Sequence, residues 1–196
     1  MKWTVLLVGI SSVLVGCGSG SSAENSDLVS QDNSDAAATS PSLPSGDSVE
    51  NETGSLPSSF AEQMLEAVNQ ARAVPQQCGD TIMPAVDPLS WDYDLESAAY
   101  AHSSDMANGD FMSHTGSDGS SMTDRVNRTG YAWQALGENV AAGQSSVERV
   151  MSSWMNSEGH CKNIMSEDFT QIGAALVENN ATTYTYYWTQ VFARGR

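Results

Sequence analysis

Four motifs between residues 111 and 192 decide the fold: FMSHTGSDG (111–119), GENVAAG (137–143), WMNSEGH (154–160) and YYWTQVF (186–192). They place His114, Glu138 and His160 in polar settings, with apolar helix and strand patterns between them. Two histidines and a glutamate that are separated by whole elements meet only if the chain folds around a common cleft. The motifs therefore predict a cleft lined by these three side chains.

Apolar periodicity predicts four helices and a helical turn around these motifs. Ser59–Glu62 is a capping box, and the helix that it starts should end near Ala73, before Pro75. The other helical segments are predicted at Leu95–Asn108 with Gly109 as its cap, at Met122–Arg128 before Gly130, after the Ser145–Glu148 capping box, and at Cys161–Met165. Gly159 is expected to turn the chain out of the fourth helix.

The sequence patterns predict strands in three segments, at Glu138–Ala142, Ile172–Glu178 and Thr185–Ala193. The last two are expected to pair through a turn at Asn179 and Asn180. Helices that flank a small antiparallel sheet give a three-layer α/β/α sandwich. Residues 59–196 are therefore predicted to form one α/β domain.

These motifs resemble those of the CAP superfamily, the cysteine-rich secretory, antigen 5 and pathogenesis-related-1 (SCP-like) proteins, and in particular its short bacterial branch. The resemblance runs from about Phe60 to Phe192 and implies the same three-layer fold. It also implies that the two histidines point into a central cleft. The candidate cleft residues on this basis are His114, Glu138, Asn139, Ser157, His160 and Asp168.

Two positions depart from the eukaryotic members of that family. Those members carry a glutamate three residues after the helix tryptophan, where this chain has Ser157, and a histidine where it has Asp168. Their tetrad of two histidines and two glutamates is therefore reduced here to His114, Glu138 and His160. No cofactor is required, but two imidazoles completed by solvent can hold Zn²⁺, so a zinc ion on His114 and His160 is an expectation.

Each polar candidate also has a structural interpretation. His114 could be a hydrogen-bonded loop residue, and Glu138 could satisfy buried backbone groups instead of accepting from a cleft histidine. His102 lies on an apolar helical stripe, which is typical of a core histidine. Arg125 and Arg128 are expected to pair with the carboxylates around them.

The N-terminal residues indicate export. Lys2 precedes an apolar run at Thr4–Gly16 that is too short to cross a bilayer comfortably, so residues 1–16 are predicted to be a signal peptide. Leu14–Cys17 resembles a lipobox, which predicts a lipidated Cys17; an incidental cysteine is the alternative. Residues 17–58 are rich in Ser and acidic residues and contain no Lys, Arg or aromatic residue, which predicts a disordered tether.

Charge and cysteine content fit an exported protein. The chain has a net charge of −16, which disfavours nucleic acid as a partner because phosphate binding depends on Lys and Arg. With Cys17 lipidated, Cys78 and Cys161 remain as an even pair in an oxidising compartment. In the resembling bacterial proteins the matching cysteines are joined, which implies a Cys78–Cys161 disulfide. Free thiols or metal ligands are the alternative.

Three functions stay open at this point. The first is a membrane-anchored, extracytoplasmic binding or interaction module of the bacterial cell envelope, whose ligand would be a lipid, a glycan or an envelope protein. The second is a hydrolase in which His114 and His160, oriented by Glu138, activate water alone or around Zn²⁺. The third is a structural envelope protein. Because no dedicated nucleophile or common catalytic motif is visible, the first function is favoured, and a monomer held through Cys17 is expected.

Overall fold

The computed structural model describes residues 59–196. The helices in this part are α1 (Phe60–Arg72), α2 (Tyr93–Gly109), α3 (Met122–Thr129), α4 (Val147–Met155) and α5 (Glu158–Ile164). The strands are β1 (Gln76–Cys78), β2 (Thr81–Met83), β3 (Ser90–Trp91), β4 (Trp133–Ala142), β5 (Gln171–Glu178) and β6 (Tyr186–Gly195). No helix within this range is both long and apolar enough to cross a membrane. The predicted signal peptide, Cys17 and the tether lie outside the described residues.

The strands form a four-stranded sheet and a separate β1–β2 hairpin. The order in the larger sheet is β3-β5-β6-β4, so β4 lies at one edge. β6 pairs antiparallel with β5, as the sequence patterns predict, and also with β4. The short β3 instead runs parallel to β5, because it leads into α2 and the chain returns to the sheet in the same direction. The sheet is therefore mixed rather than purely antiparallel.

Side chains of the central strands alternate between two helical layers, as the pleat of a strand requires. The face covered by α1, α4 and α5 carries Ile172, Ala174, Trp188 and Phe192. The opposite face, covered by α2 and α3, carries Ala175, Val191 and Ala193. This arrangement confirms the predicted three-layer α/β/α sandwich.

Helix α2 differs from its prediction at both ends. Asp92 caps it by accepting from two backbone N–H groups of the first turn, so the helix starts two residues earlier. The left-handed residue at its C-terminus is Asp110 (φ 49°), whereas Gly109 is the last helical residue. The Asp110 carboxylate accepts hydrogen bonds from Thr183 and Tyr187, and these contacts offset the strain of a left-handed non-glycine residue.

The region around His160 also differs from the prediction. Ser146, rather than Ser145, caps α4. The chain turns at Asn156, and α5 starts at Glu158, so Gly159 lies inside a helix and the prediction of a turn there is wrong.

The predicted Cys78–Cys161 disulfide is confirmed. The two Cα atoms lie 5.4 Å apart, and both cysteines are fully buried. The bridge joins the β1–β2 hairpin, which the sequence patterns do not predict, to α5. Because Cys161 directly follows His160, the bridge also fixes the backbone that carries this histidine.

Candidate functional site

The site lies at the edge strand β4, which side chains of both helical layers contact. Successive strand residues point to opposite faces, so Glu138 faces the layer of α2 and α3, and Asn139 faces the layer of α5. The backbone carbonyls of Glu138 and Val140 accept from Asn163 Nδ2 (3.1 Å) and Trp154 Nε1 (3.3 Å). These side chains cover polar groups that an edge strand would otherwise offer to another chain.

Glu138 forms the centre of the site. Its Oε1 accepts from Nδ1 of His114 at 2.8 Å, and its Oε2 accepts from Nη2 of Arg125 at 2.7 Å. The side chains of Glu138 and Arg125 are 3% and 4% exposed, so two opposite charges are buried together. Such a pair is tolerated because each charge satisfies the other, whereas either one alone would be costly. Each carboxylate oxygen therefore already accepts one hydrogen bond.

Arg125 also fixes the loop that carries His114. Its Nη2 donates to the His114 carbonyl at 3.1 Å, and its Nη1 donates to the Ser120 carbonyl at 2.9 Å. The sequence predicted a carboxylate partner for Arg125 but missed its central position. The available signal was its place on α3, three residues after Met122 and beside the buried Val126, on the face that packs inward.

His102 supports the same loop from α2. It is fully buried, in agreement with the prediction of a core histidine, and its Nε2 donates to the Ser113 carbonyl at 2.7 Å. This bond assigns the Nε2–H tautomer, and Nδ1 is buried without a partner among the described residues. Burial is the largest of the effects that lower the pKa of His102, so the ring favours its neutral form.

His114 is held on one side and open on the other. Its side chain is 60% exposed, and its Nδ1 donates to Glu138. The hydrogen bond to Glu138 raises the pKa of His114 above 6.5, although partial burial opposes this effect. The ring is thus a fixed hydrogen-bond donor that favours the protonated form.

His160 approaches the same edge from the other layer, in the first turn of α5. Its backbone carbonyl accepts from Asn139 Nδ2 at 3.3 Å. Burial and, second, the charge of His114 lower the pKa of His160. The two imidazoles therefore lie within each other's electrostatic influence, and their pKa values shift in opposite directions.

A buried amide network supports this part of the site. The fully buried Asn139 donates to Gln190 Oε1 at 3.1 Å and accepts from Asn163 Nδ2 at 2.9 Å. Gln190 and Asn163 are residues that the sequence reasoning missed. The signal for Gln190 was its position between Trp188 and Phe192 on the inward face of β6, where a polar side chain needs a partner.

The remaining two candidates are not joined to the histidines by any hydrogen bond or ion pair within residues 59–196. Ser157 is the N-cap residue of α5, and its side chain makes no capping hydrogen bond. Asp168 is exposed and lines a separate groove with Met83 and Met165. Among the described residues, no such contact links Ser157 or Asp168 to the cleft histidines. Their assignment to the cleft, which the resemblance implies, therefore stays a prediction.

The residues of the site do not fit a metal centre with three protein ligands. Each oxygen of Glu138 accepts one hydrogen bond, from His114 or from Arg125, so this carboxylate orients a histidine and neutralises a buried arginine. Within the described range, no group of three or more His, Cys, Asp or Glu side chains is arranged to hold a metal ion. A zinc ion held by the imidazoles of His114 and His160 stays a prediction.

The pKa of His114 should be higher than the pKa values of His102 and His160. We expect a pKa above 6.5 for His114 and below 6.5 for His102 and His160, measured by NMR of the imidazole Cε1–H signals. Replacing Glu138 by glutamine should lower the pKa of His114, because it removes the main cause of the shift. Replacing the exposed Asp118 by asparagine is the control. A His114 pKa that stays unchanged in the Glu138 variant would contradict the geometry.

The raised pKa of His114 and the lowered pKa values of His102 and His160 make the stability of the fold depend on pH in opposite directions. The contribution of His114 is complete below about pH 6.5 and is lost as the pH rises through its folded-state pKa. The contributions of His102 and His160 are present above about pH 6.5 and are lost as the pH falls through their folded-state pKa values.

The comparison with known proteins agrees with this architecture. Residues 65–192 match the sequence model of the cysteine-rich secretory protein family, CAP. This chain belongs to the CAP family. The Bacillus subtilis protein YkwD is 36% identical over 142 residues, which are 72% of this chain and 51% of YkwD. The membrane protein YlbC of the same species is 30% identical over 106 residues, which are 54% of this chain and 29% of YlbC.

Two solved structures share the CAP fold. An extracellular protein of Bacillus anthracis that contains an SCP domain gives a TM-score of 0.55 at 29% identity, over 68% of this chain and 40% of that chain. An outer surface protein of Borrelia burgdorferi gives a TM-score of 0.55 at 17% identity, over 69% of this chain and 90% of that chain. At this identity, the similarity shows the fold alone. The chain spans about half or less of the length of YkwD, YlbC and the Bacillus anthracis protein.

Proposed function

We propose that this protein is a lipid-anchored binding module of the bacterial cell envelope, in which the edge of β4 presents His114 and His160 to a ligand outside the cytoplasm. This proposal rests on the unit of His114, Glu138 and Arg125. In this unit, the buried Glu138, which is paired with Arg125, accepts a hydrogen bond from Nδ1 of the exposed His114 imidazole. The extracellular, outer-surface and membrane descriptions of the related proteins support an envelope location.

The geometry favours ligand binding over covalent chemistry. No Ser, Thr or Cys side chain within residues 59–196 hydrogen-bonds to the His114 ring, so no side-chain nucleophile is placed for this imidazole to activate. The raised pKa of His114 makes its imidazole a better donor to oxygen acceptors, and the lowered pKa of His160 favours a ring that can either donate or accept. Acceptor-rich ligands such as a glycan or a lipid headgroup suit this pair.

One observation favours a hydrolase as the second candidate. The pKa of His114 is raised and that of the neighbouring His160 is lowered, and such a divergence is typical of an acid and a base that act together. In that function, His160 would take a proton from water, and His114 would donate one to the leaving group.

Histidine NMR and activity assays separate the two candidates. For a binding module, glycan or lipid fractions of the envelope should shift the His114 and His160 signals, and His114→Ala should abolish the response. The purified protein should not turn over ester, peptide or phosphoester probes, with or without added zinc. Turnover that disappears in His114→Ala would support the hydrolase instead. Zinc binding, if calorimetry detects it, should also disappear in that variant and weaken below about pH 6 as imidazoles protonate.

The anchor is tested at Cys17. Replacing Cys17 by serine should move the protein from the detergent phase to the aqueous phase, because acyl chains on this cysteine provide stable anchoring. The matched control is Ser22→Ala, which lies beyond the lipobox and should stay in the detergent phase. Equal partition of the Cys17 variant and the unaltered protein would contradict lipidation at this position.

A further inference from the structure

A second pocket, of about 310 Å³, lies between the end of α1, the loop before β3 and the end of β6. It shares no lining residue with the site at the edge of β4. Its polar lining includes Arg72, Asp87, Glu167, Thr170 and Arg194. Its volume is at the lower end of the range for small-molecule sites, so it suits a compact ligand.

Four charged side chains line this pocket without pairing with one another. Within the part of the chain that the structure describes, neither Arg72 nor Arg194 forms a salt bridge, and neither do Asp87 and Glu167. The pocket therefore presents the charged side chains of Arg194, Asp87 and Glu167, and the charge of the buried Arg72 lies behind its wall. A ligand that bridges them gains attraction from both signs.

Arg72 supplies a buried positive charge behind the pocket wall. It is 1% exposed, and its Nε, Nη1 and Nη2 donate to the backbone carbonyls of Asp87 (2.8 Å), Ile164 (2.7 Å), Ser166 (2.9 Å) and Phe169 (3.5 Å). Carbonyl groups orient the guanidinium but carry no net charge to cancel it. Burial lowers the pKa of Arg72, while the nearby Asp87 raises it.

Arg194 supplies donors that are not fully used. Its Nη2 donates to the Glu167 carbonyl at 2.7 Å, whereas its Nε is buried without a partner among the described residues. A buried N–H group without an acceptor is costly, and a small rotation of the guanidinium toward a ligand oxygen would remove that cost. Arginine is well suited to this role because its donors match a carboxylate in a bidentate geometry.

We propose that this pocket binds a small zwitterion with one carboxylate and one ammonium group, the chemistry of a free amino acid or a short peptide. The carboxylate lies against Arg194, above the charge of Arg72, and the ammonium group lies against Asp87 and Glu167. A simple anion is repelled by the two carboxylates, and a simple cation is repelled by the two arginines. This site is independent of the proposed function at the edge of β4.

Isothermal titration calorimetry of the purified full chain tests this proposal. The probes are alanine and alanylalanine, with acetate and ethylamine as ligands that carry one charge each. The zwitterions should bind at least about tenfold more tightly than either singly charged probe. Arg194→Gln should weaken zwitterion binding at least about tenfold, and so should the double variant Asp87→Asn/Glu167→Gln.

Two exposed residues outside the pocket provide matched controls. Arg149→Gln and Asp80→Asn make the same chemical changes and should leave the dissociation constant within about twofold. Thermal unfolding of every variant checks that the fold is intact. Three results would overturn the proposal: no zwitterion binding up to the millimolar range, acetate binding as tight as zwitterion binding, or an unchanged affinity in Arg194→Gln.

Discussion

Replacing Glu138 by glutamine should lower the free energy of unfolding by about 3–5 kcal/mol, because it leaves the Arg125 guanidinium buried without its carboxylate. Glutamine keeps nearly the same volume, so the loss reports charge rather than packing. The carboxylate also orients His114, and both partners lie within 2.8 Å of it. Chemical denaturation at neutral pH measures the effect. The dependence of the unfolding free energy on denaturant concentration should have the same slope as in the unaltered protein.

The exposed pair of Asp118 and Arg128 provides the matched control. Their side chains are 55% and 60% exposed and lie 3.1 Å apart, so Asp118→Asn should cost much less stability than Glu138→Gln. The double variant Arg125→Met/Glu138→Gln should recover part of the loss, because it removes the stranded charge. Equal costs for Glu138→Gln and Asp118→Asn would mean that the buried pair is not the structural centre of the site.

The helices and strands follow from signals that act over a few residues. Ser59 and Glu62 form both halves of the predicted capping box at the start of α1, and Gly130 ends α3 in the left-handed conformation (φ 87°). The alternation in β6 assigns Trp188 and Phe192 to one face and Val191 to the other. Such signals are local, so they can be read without knowing the tertiary structure.

The polar contacts of the site could be predicted only in part. The motifs indicated that His114 and Glu138 meet, although 24 residues separate them. The bond between Arg125 and Glu138 depends on how α3 lies over the edge of β4, and no local pattern encodes that packing. The predicted helical turn at Cys161–Met165 overlaps the seven-residue α5, but a helix this short gives too little periodicity to place its start at Glu158, so a turn was expected at Gly159.

Removing the Cys78–Cys161 disulfide should cost up to about 4.5 kcal/mol, because the bridge closes a loop with a sequence separation of 83 and restricts the unfolded chain. For a domain of this size, the melting temperature should fall by on the order of 10–15 °C in the double variant Cys78→Ala/Cys161→Ala. Reduction of the unaltered protein should give a similar loss. Non-reducing peptide mapping should recover the two cysteine-containing segments linked.

The same variant should affect the two cleft histidines unequally. The bridge holds α5 next to His160, whereas His114 is fixed independently by Glu138 and Arg125. In the double alanine variant, below its melting temperature, the NMR signal of His160 should therefore broaden or move, while the pKa of His114 stays raised. Equal changes at both histidines would show that the site depends on the stability of the whole domain. A change confined to His160 would show that the disulfide positions one half of the cleft.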